Sequence, residues 1–487
     1  MNRRAWVRLD NASNIFLAAR SEADPKVFRI SAEVDADVDP VLLQRALDAT
    51  YERYRLYHAV LRSGVFWYYL QDSDLRPVVT PEEQHTCAPI YQADRRNLLF
   101  RVMHHRRRII LEIFHALSDG TGALWFLSDL ATAYVRLRYP EEDPAPPGVG
   151  LVGGPHTGPD IGPHRSADER DDGGDADEPA HELTADSFGH YFRRRRGETR
   201  SAAAAFSRAA APAVLTVDDG ARSPSAEPEG HGRAARPPRR RVHRVAGTRT
   251  PDNRTRVVEL TMPAKEVLAL ARSEGVALTM YLTALFFESI RLSSGGLGRD
   301  RTLAASVPVN LRQFFPSTSA RNFFATVRVE HTYGEGADDL GSISRRLEHQ
   351  FRPKATPDAL ERRLRRFIRF ERTPALRVVP RPLKDGILRL INWGNNRGLT
   401  VAVSNLGRVA LPEPAESRVG RMLFHVSAVR PQFCAMSHAG QLTVSFTSPF
   451  VETGHVREFA RLLTARGVDV TVAAARVTER EIAEEES

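Results

Sequence analysis

The sequence predicts an α+β fold made of two lobes, each of which combines β-strands with helices. Strand and helix patterns alternate along residues 1–140 and again along 242–487. Residues 141–241 are rich in Pro, Gly and charged residues and have no apolar periodicity. A structureless loop of this length is unusual inside a compact domain, so we expect a largely disordered linker that joins the two lobes.

The N-terminal half predicts a strand, a capped helix, a β-rich stretch, a hairpin and a long helix. Asp39 followed by Pro40 is typical of a helix start, because Asp can accept a hydrogen bond from the first turn and Pro suits the first helical position. The predicted bounds are a strand over 26–34, a helix from 39 to about 54, β-structure over 57–70, hairpin strands over 98–103 and 108–115, and a helix over 122–137.

The C-terminal half shows the same mixture of patterns. A long stretch from 339 to 393 has helical periodicity with Arg-rich faces. The remaining predicted strands cover 255–260, 303–309, 322–333, 399–404, 421–429 and 441–447, and the remaining predicted helices cover 264–273, 279–292 and 456–465.

The composition is that of an ordinary globular protein, with 42% apolar residues. No apolar stretch reaches about eighteen residues, so we expect no transmembrane segment, and the N-terminus lacks the apolar core of a signal peptide. Two cysteines, Cys87 and Cys434, are too few for a disulfide framework and lack the spacing of metal ligands, so we expect buried thiols and no metal site. These features predict a cytoplasmic protein.

The positive charge of the chain does not indicate nucleic-acid binding. The formal net charge is +9, but of the 69 basic residues only four are Lys and the other 65 are Arg. Such one-sided usage, together with abundant Ala, Gly and Pro, is typical of a coding bias. An anionic small substrate, such as a phosphorylated acyl carrier, fits the excess charge equally well.

The stretch Phe114 to Gly120 is the strongest candidate for a catalytic motif. It places His115 at the end of a predicted strand, Asp119 four residues later and Gly120 before a helix. A neutral imidazole can accept a proton near physiological pH, which suits a general base. The same His-x-x-x-Asp spacing recurs at His156 and His164 inside the Pro- and Gly-rich segment, where no scaffold would orient it. A buried histidine with a purely structural role is the alternative for His115.

Several segments in a fixed order resemble the HxxxD acyltransferase superfamily, which includes chloramphenicol acetyltransferase, plant BAHD enzymes and nonribosomal-peptide condensation domains. The sequence is most similar to bacterial alcohol acetyltransferase-like proteins. Phe114 replaces the first His of condensation domains, and the Asp-Phe-Gly-Trp-Gly motif of plant enzymes is absent. The segments that carry the resemblance are Trp6 to Phe16, Tyr54 to Arg62, Phe114 to Gly120, Val307 to Arg312, Asn322 to Phe324, Ser404 to Gly407 and Ser437 to Thr447.

The resemblance implies two chloramphenicol-acetyltransferase-like lobes, each a mixed β-sheet with helices, and an active-site tunnel between them. It also implies that His115 is the general base and that Asp119 pairs with Arg312 to hold the motif in shape. An ordinary surface ion pair is the alternative for Asp119 and Arg312. Gly120, Ser404 and Asn405 are candidates for stabilising the oxyanion, and a simple turn-forming role is the alternative.

We therefore expect an acyltransferase that moves an acyl group, most simply acetyl, from a CoA thioester to a small alcohol or amine. Acetyl-CoA would be a co-substrate, and no metal or bound prosthetic group is implied. A condensation-like or lipid-ester-forming transferase that takes its acyl group from a carrier protein is the enzymatic alternative. A non-catalytic binding protein that retains the fold is the alternative of another class.

Overall fold

The computed structural model describes residues 6–9, 11–142, 241–298, 301–371 and 381–474. The predicted disordered linker, 141–241, falls almost wholly outside these ranges, as do His156 and His164. The strands are β1 Trp6–Arg8, β2 Val27–Val34, β3 Ala59–Ser63, β4 Tyr68–Asp72, β5 Thr80–Pro81, β6 Phe100–His105, β7 Arg108–Phe114, β8 Arg256–Pro263, β9 Thr302–Asn310, β10 Phe324–Thr332, β11 Val401–Arg408, β12 Val419–Val426, β13 Gln432–His438, β14 Gln441–Ser448 and β15 Thr471–Ala474.

The helices connect and cover these strands. They are α1 Asn11–Ala19, α2 Pro40–Arg53, α3 Gly120–Arg138, α4 Ala264–Ser273, α5 Leu278–Ser293, α6 Leu340–Phe351, α7 Pro357–Glu371, α8 Arg381–Arg397, α9 Ala415–Arg418 and α10 Gly454–Thr464. The predicted helix at Asp39 begins as expected, because the Asp39 side chain accepts hydrogen bonds from the amides of Val41 and Leu42. Within the described residues, no single helix has both the length and the apolar character needed to cross a membrane.

Two large mixed sheets form the two lobes. The first contains five strands in the order β12-β2-β7-β6-β5, and the second contains seven in the order β10-β9-β11-β13-β14-β8-β15. Most neighbours are antiparallel, but β11 runs parallel to both β9 and β13, and β5 runs parallel to β6. A small sheet, β1-β4-β3, lies beside the first lobe. The predicted α+β class with a mixed sheet in each lobe is thus what the structure shows.

One strand crosses from the C-terminal half into the first lobe. Strand β12 pairs antiparallel with β2, from Val419 opposite Val34 to Val426 opposite Phe28. Its buried side chains join the apolar core of the first lobe. The predicted boundary at residue 242 therefore does not separate the two sheets completely, because an edge strand of the first sheet comes from residues 419–426.

Each lobe has its own apolar core. In the first, an aromatic cluster packs between the sheet and helices α2 and α3, where Tyr57 and Phe126 stack with their ring centroids 4.4 Å apart. In the second, Phe286 on α5 contacts Phe433 and Phe446 on the facing strands. Two strands of this region, β13 and β15, have no counterpart among the sequence-predicted strands.

Candidate active site

A cavity of about 400 Å³ lies between the two lobes. Five of the six residues selected from the sequence line it, namely His115, Asp119, Gly120, Ser404 and Asn405. Strand β9, strand β11 and the crossing strand β12 all contribute to its wall. The fold thus brings together residues that are almost 300 positions apart in the chain.

His115 follows β7 directly, and its backbone is held on both sides. Its amide donates to the Lys26 carbonyl at 2.8 Å, and its carbonyl accepts from the Asn322 side-chain amide at 2.8 Å. Lys26 adopts a φ of 58°, a left-handed conformation that is costly for a residue with a side chain. The first bond comes from the N-terminal segment and the second from the C-terminal half, so both halves of the chain position this residue.

Three aromatic rings surround the His115 imidazole. Phe16 stacks on it with a centroid separation of 3.9 Å, Phe28 approaches edge-on at 4.9 Å, and Phe324 lies at 5.7 Å. Burial among these rings lowers the pKa of His115 to about 4, because the charged form loses its solvation. The imidazole is therefore neutral at physiological pH. Its Nδ1 atom has no hydrogen-bond partner among the described residues.

Asp119 caps the first turn of α3 and does not face the imidazole as a free carboxylate. It accepts hydrogen bonds from the Gly122 amide at 2.9 Å, the Phe323 amide at 2.8 Å and Arg312 Nη1 at 2.8 Å. Three donors, one of them cationic, occupy the carboxylate oxygens. Such a carboxylate stabilises the loop around it and is poorly placed to exchange protons with a substrate.

Arg312 lies behind the cavity wall and connects several loops. Besides Asp119, its guanidinium donates to the carbonyls of Ser319, at 2.8 Å, and Arg321, at 2.6 Å. The Arg312 and Asp119 side chains are only 6% and 5% exposed, respectively. The pair is thus buried and hydrogen-bonded on all sides, and an ordinary surface ion pair does not describe it.

Two glycines at the start of α3 differ in how much space surrounds them. A Cβ on Gly120 would lie 2.9 Å from the tip of Leu406, a flexible side chain. A Cβ on Gly122 would lie 2.2 Å from the Ala320 carbonyl oxygen and 2.5 Å from Ser118 Oγ. Sequence reasoning selected Gly120 and missed Gly122, because only the packed loop at Ala320 shows which glycine lacks room for a side chain.

Ser404 and Asn405 lie side by side on β11 but have different surroundings. The Asn405 side chain donates to Thr279 Oγ1 at 3.0 Å and accepts from the Gly407 amide at 2.8 Å, so both of its polar atoms are occupied. The Ser404 hydroxyl lines the cavity and has no hydrogen-bond partner among the described residues. Of the two, Ser404 is the one with a donor available to a ligand.

A group of charged residues on the cavity wall had no signal in the sequence. Asp24 is buried and pairs with Lys26 Nζ, and it also accepts from Ser427 Oγ at 2.8 Å. Arg430 lines the same cavity without a hydrogen bond or ion pair among the described residues. Burial lowers its pKa to about 10, and the Asp24 carboxylate opposes that shift. Among the residues that the structure describes, Arg430 is thus the cation on the cavity wall that has no side-chain partner.

Comparison with known sequences finds no relative. No family model matches the chain, and no curated protein matches it.

Within the described residues, no three His, Cys, Asp or Glu side chains cluster in a way that could hold a metal ion.

Comparison with solved structures does find similar folds, over nearly the whole chain. The condensation domain of Monacolin K polyketide synthase gives a TM-score of 0.52 at 9% identity and covers 96% of this chain and 97% of that one. Polyketide synthase associated protein 5 from Mycobacterium tuberculosis gives 0.51 at 13% identity, with 94% and 98% coverage. The chain has the condensation-domain fold. The predicted fold class, two lobes with mixed sheets, is confirmed.

A structure with a named ligand also has a fold similar to that of this chain. F. sporotrichioides TRI101, complexed with coenzyme A and T-2, gives a TM-score of 0.50 at 11% identity and covers 95% of this chain and 99% of that one. At these identities the similarity concerns the fold. What the cavity does in this chain has to be argued from its own residues.

Proposed function

We propose that this protein is a cytoplasmic acyltransferase that moves an acyl group from a thioester to an alcohol or amine, with His115 as the general base. The observation that carries the proposal is a neutral imidazole on the wall of a cavity between the lobes, next to a carboxylate that is fully engaged elsewhere. A neutral histidine can take a proton, and a carboxylate held by Arg312 keeps the histidine loop in shape.

In the proposed reaction His115 removes the proton from the acceptor hydroxyl or amine as that atom attacks the thioester carbonyl carbon. The attack forms a new C–O or C–N bond and a tetrahedral oxyanion. When the oxyanion collapses, the C–S bond breaks and the protonated His115 returns its proton to the departing thiolate. The products are an ester or amide and a free thiol, so atoms and charge balance without a further reactant.

The oxyanion needs a hydrogen-bond donor close to the thioester carbonyl. Ser404 on the cavity wall offers a hydroxyl that has no hydrogen-bond partner in the described ranges of the chain. Gly120 lies at the first position of α3, where a backbone amide has no acceptor within its own helix. A donor of this kind typically contributes about 2.7–4 kcal/mol to transition-state stabilisation. We assign the stabilisation of the oxyanion to the Ser404 hydroxyl and the Gly120 amide, and a structural role to Asn405.

The proposed donor is an acyl-CoA, most simply acetyl-CoA. Arg430 on the cavity wall is a cation that makes no hydrogen bond or ion pair within the described part of the chain, which suits an anionic group of the donor. A protein of the same fold, TRI101, is complexed with coenzyme A. The carrier-protein alternative is supported by the similarity to condensation domains, whose fold this chain shares.

Thiol release from acetyl-CoA, measured over a panel of alcohols and amines, tests the proposal. His115→Ala should lower the rate about 10²–10⁴-fold, the usual contribution of a positioned base. His105→Ala, on the exposed end of β6, is the matched control and should keep the wild-type rate. Turnover only with a carrier-linked acyl group would mean that the donor is an acyl carrier protein and not acyl-CoA. No turnover with either donor would favour the non-catalytic alternative.

A further inference from the structure

Helix α8 exposes its apolar face and keeps its polar face against the protein. Its exposed large apolar residues lie along one side of the helix, and Leu390 and Trp393 are 67% and 56% exposed. A helix on the surface of a globular protein normally shows the opposite arrangement, with its apolar stripe facing the core. The exposed apolar set is Leu383, Ile387, Leu390, Ile391 and Trp393.

Polar contacts hold α8 in this inverted orientation. Asp385 accepts from the Tyr68 hydroxyl at 2.9 Å, and Arg389 Nε donates to the Ala18 carbonyl at 2.9 Å. Arg381 Nη1 donates to the Gly64 carbonyl at 3.0 Å, and Lys384 Nζ to the Phe66 carbonyl at 3.3 Å. The helix is thus attached to α1 and to the β3–β4 hairpin by its polar residues, which leaves the apolar side free.

The exposed apolar surface continues onto the neighbouring small sheet. Trp6 is exposed on β1, and Val65 and Phe66 are exposed in the turn between β3 and β4, which carries the backbone contacts to α8. Together with the five residues of α8, they account for eight of the twelve exposed large apolar side chains among the described residues. Clustering of this kind marks an interaction site, whereas single exposed apolar residues are ordinary.

The charge of this region specifies the partner. Helix α8 contains four Arg and Lys residues and one Asp, which gives it a net charge of +3. On α8 itself Arg397 lies over the Trp393 ring, 4.4 Å from its centroid. Exposed Trp, Leu and Ile on a helix with a net positive charge are the composition of a helix that lies in the interface of an anionic bilayer.

The same helix reaches the cavity. Asn396, in its last turn, and Leu399, just beyond it, belong to the cavity lining. We infer that α8, with the tip of the β3–β4 hairpin, docks this protein on the surface of an anionic membrane, apolar face down. This arrangement places one end of the cavity beside the bilayer. The assignment of the acceptor rests on the proposed acyl transfer: the acceptor is an alcohol or amine that is dissolved in the bilayer.

Flotation of the full chain with lipid vesicles tests this docking without any turnover. Vesicles that contain phosphatidylglycerol should carry the protein upward, and pure phosphatidylcholine vesicles should bind at least about tenfold less. Added salt should weaken the binding, because the electrostatic part is screened. Leu390→Asp combined with Ile387→Asp should abolish the binding. Val41→Asp, at a residue 68% exposed on α2, is the matched control and should bind as wild type does.

Two further readouts separate docking from catalysis and from misfolding. His115→Ala should float with the vesicles as wild type does, whether or not the proposed chemistry is correct. The Leu390→Asp and Ile387→Asp variant should keep its circular dichroism and its rate with a water-soluble acceptor. The inference would be overturned if that variant floated as wild type does, or if Val41→Asp lost the same amount of binding. It would also be overturned if the protein did not bind vesicles and instead formed a dimer that the two Asp substitutions dissociate.

Discussion

Arg312 Nη1 donates to Asp119 Oδ2 at 2.8 Å across 193 residues of sequence. The bond joins the loop of the candidate base to the end of β9, so the geometry of His115 depends on a residue of the opposite lobe. Because the pair is buried, each partner without the other leaves an uncompensated charge in the interior.

Removing one partner of this pair should cost stability as well as activity. Asp119→Asn and Arg312→Leu are each expected to lower the free energy of unfolding by about 3–5 kcal/mol. Chemical denaturation measures this, and Arg76→Ala, which breaks an exposed ion pair with Glu52, should leave the free energy of unfolding nearly unchanged. An Asp119→Asn variant that is inactive but fully stable would indicate that this carboxylate takes part in the chemistry.

The two glycines at the start of α3 should respond differently to the same substitution. Gly122→Ala places a methyl group against the fixed Ala320 carbonyl, so we expect a destabilised protein with a lower melting temperature. Gly120→Ala meets the movable tip of Leu406, so its effect on stability should be clearly smaller. Thermal unfolding of the two variants makes the comparison. Equal losses at both positions would contradict this account of the packing.

The pH dependence of kcat/KM should follow the lowered pKa of His115. The imidazole is neutral above about pH 4 and charged below it, so activity should be lost only as the pH falls through about 4. Folding also disfavours protonation of His115, so the contribution of this group to the free energy of unfolding should decrease as the pH is lowered from about 6.5 to about 4. A pH–rate profile, with circular dichroism at each pH, measures this loss of activity. A loss centred near pH 6.5 would show that burial does not control the pKa of His115.

Ser404 and Asn405 should separate into a catalytic and a structural role. Ser404→Ala removes an unoccupied donor from the cavity and should lower kcat about 10²–10³-fold, with little change in melting temperature. Asn405→Ala removes the contacts with Thr279 and the Gly407 amide, so its main effect should be on stability. Full activity in Ser404→Ala would mean that backbone amides alone stabilise the oxyanion.

Arg430 should matter for a phosphorylated donor and much less for a short one. Arg430→Gln removes a cation from the cavity wall, so we expect KM for acetyl-CoA to rise about tenfold or more. KM for a minimal acetyl thioester that lacks phosphate groups should change little. Equal effects on both donors would mean that Arg430 supports the cavity and does not bind the anion.

Local patterns were enough to predict much of the fold. The cap at Asp39, the hairpin strands around residues 105–108 and the apolar periodicity after Gly120 act over a few residues, and the structure has each of them. Strand β12 was predicted as a strand but not as part of the first sheet, because strand pairing depends on contacts that are distant in the sequence. Strand β13 was missed, and it lies between two other strands in the middle of the second sheet.

The candidate site divides in the same way. The sequence by itself determined that a histidine, an aspartate and a glycine would stand together between β7 and α3, since seven consecutive residues contain the spacing. Only the tertiary structure decided that Asn322 holds the His115 carbonyl, that Gly122 is the glycine without room for a side chain, and that Arg430 lines the cavity. Solvation, steric contact and charge pairing arise between residues that meet only after the two lobes have packed.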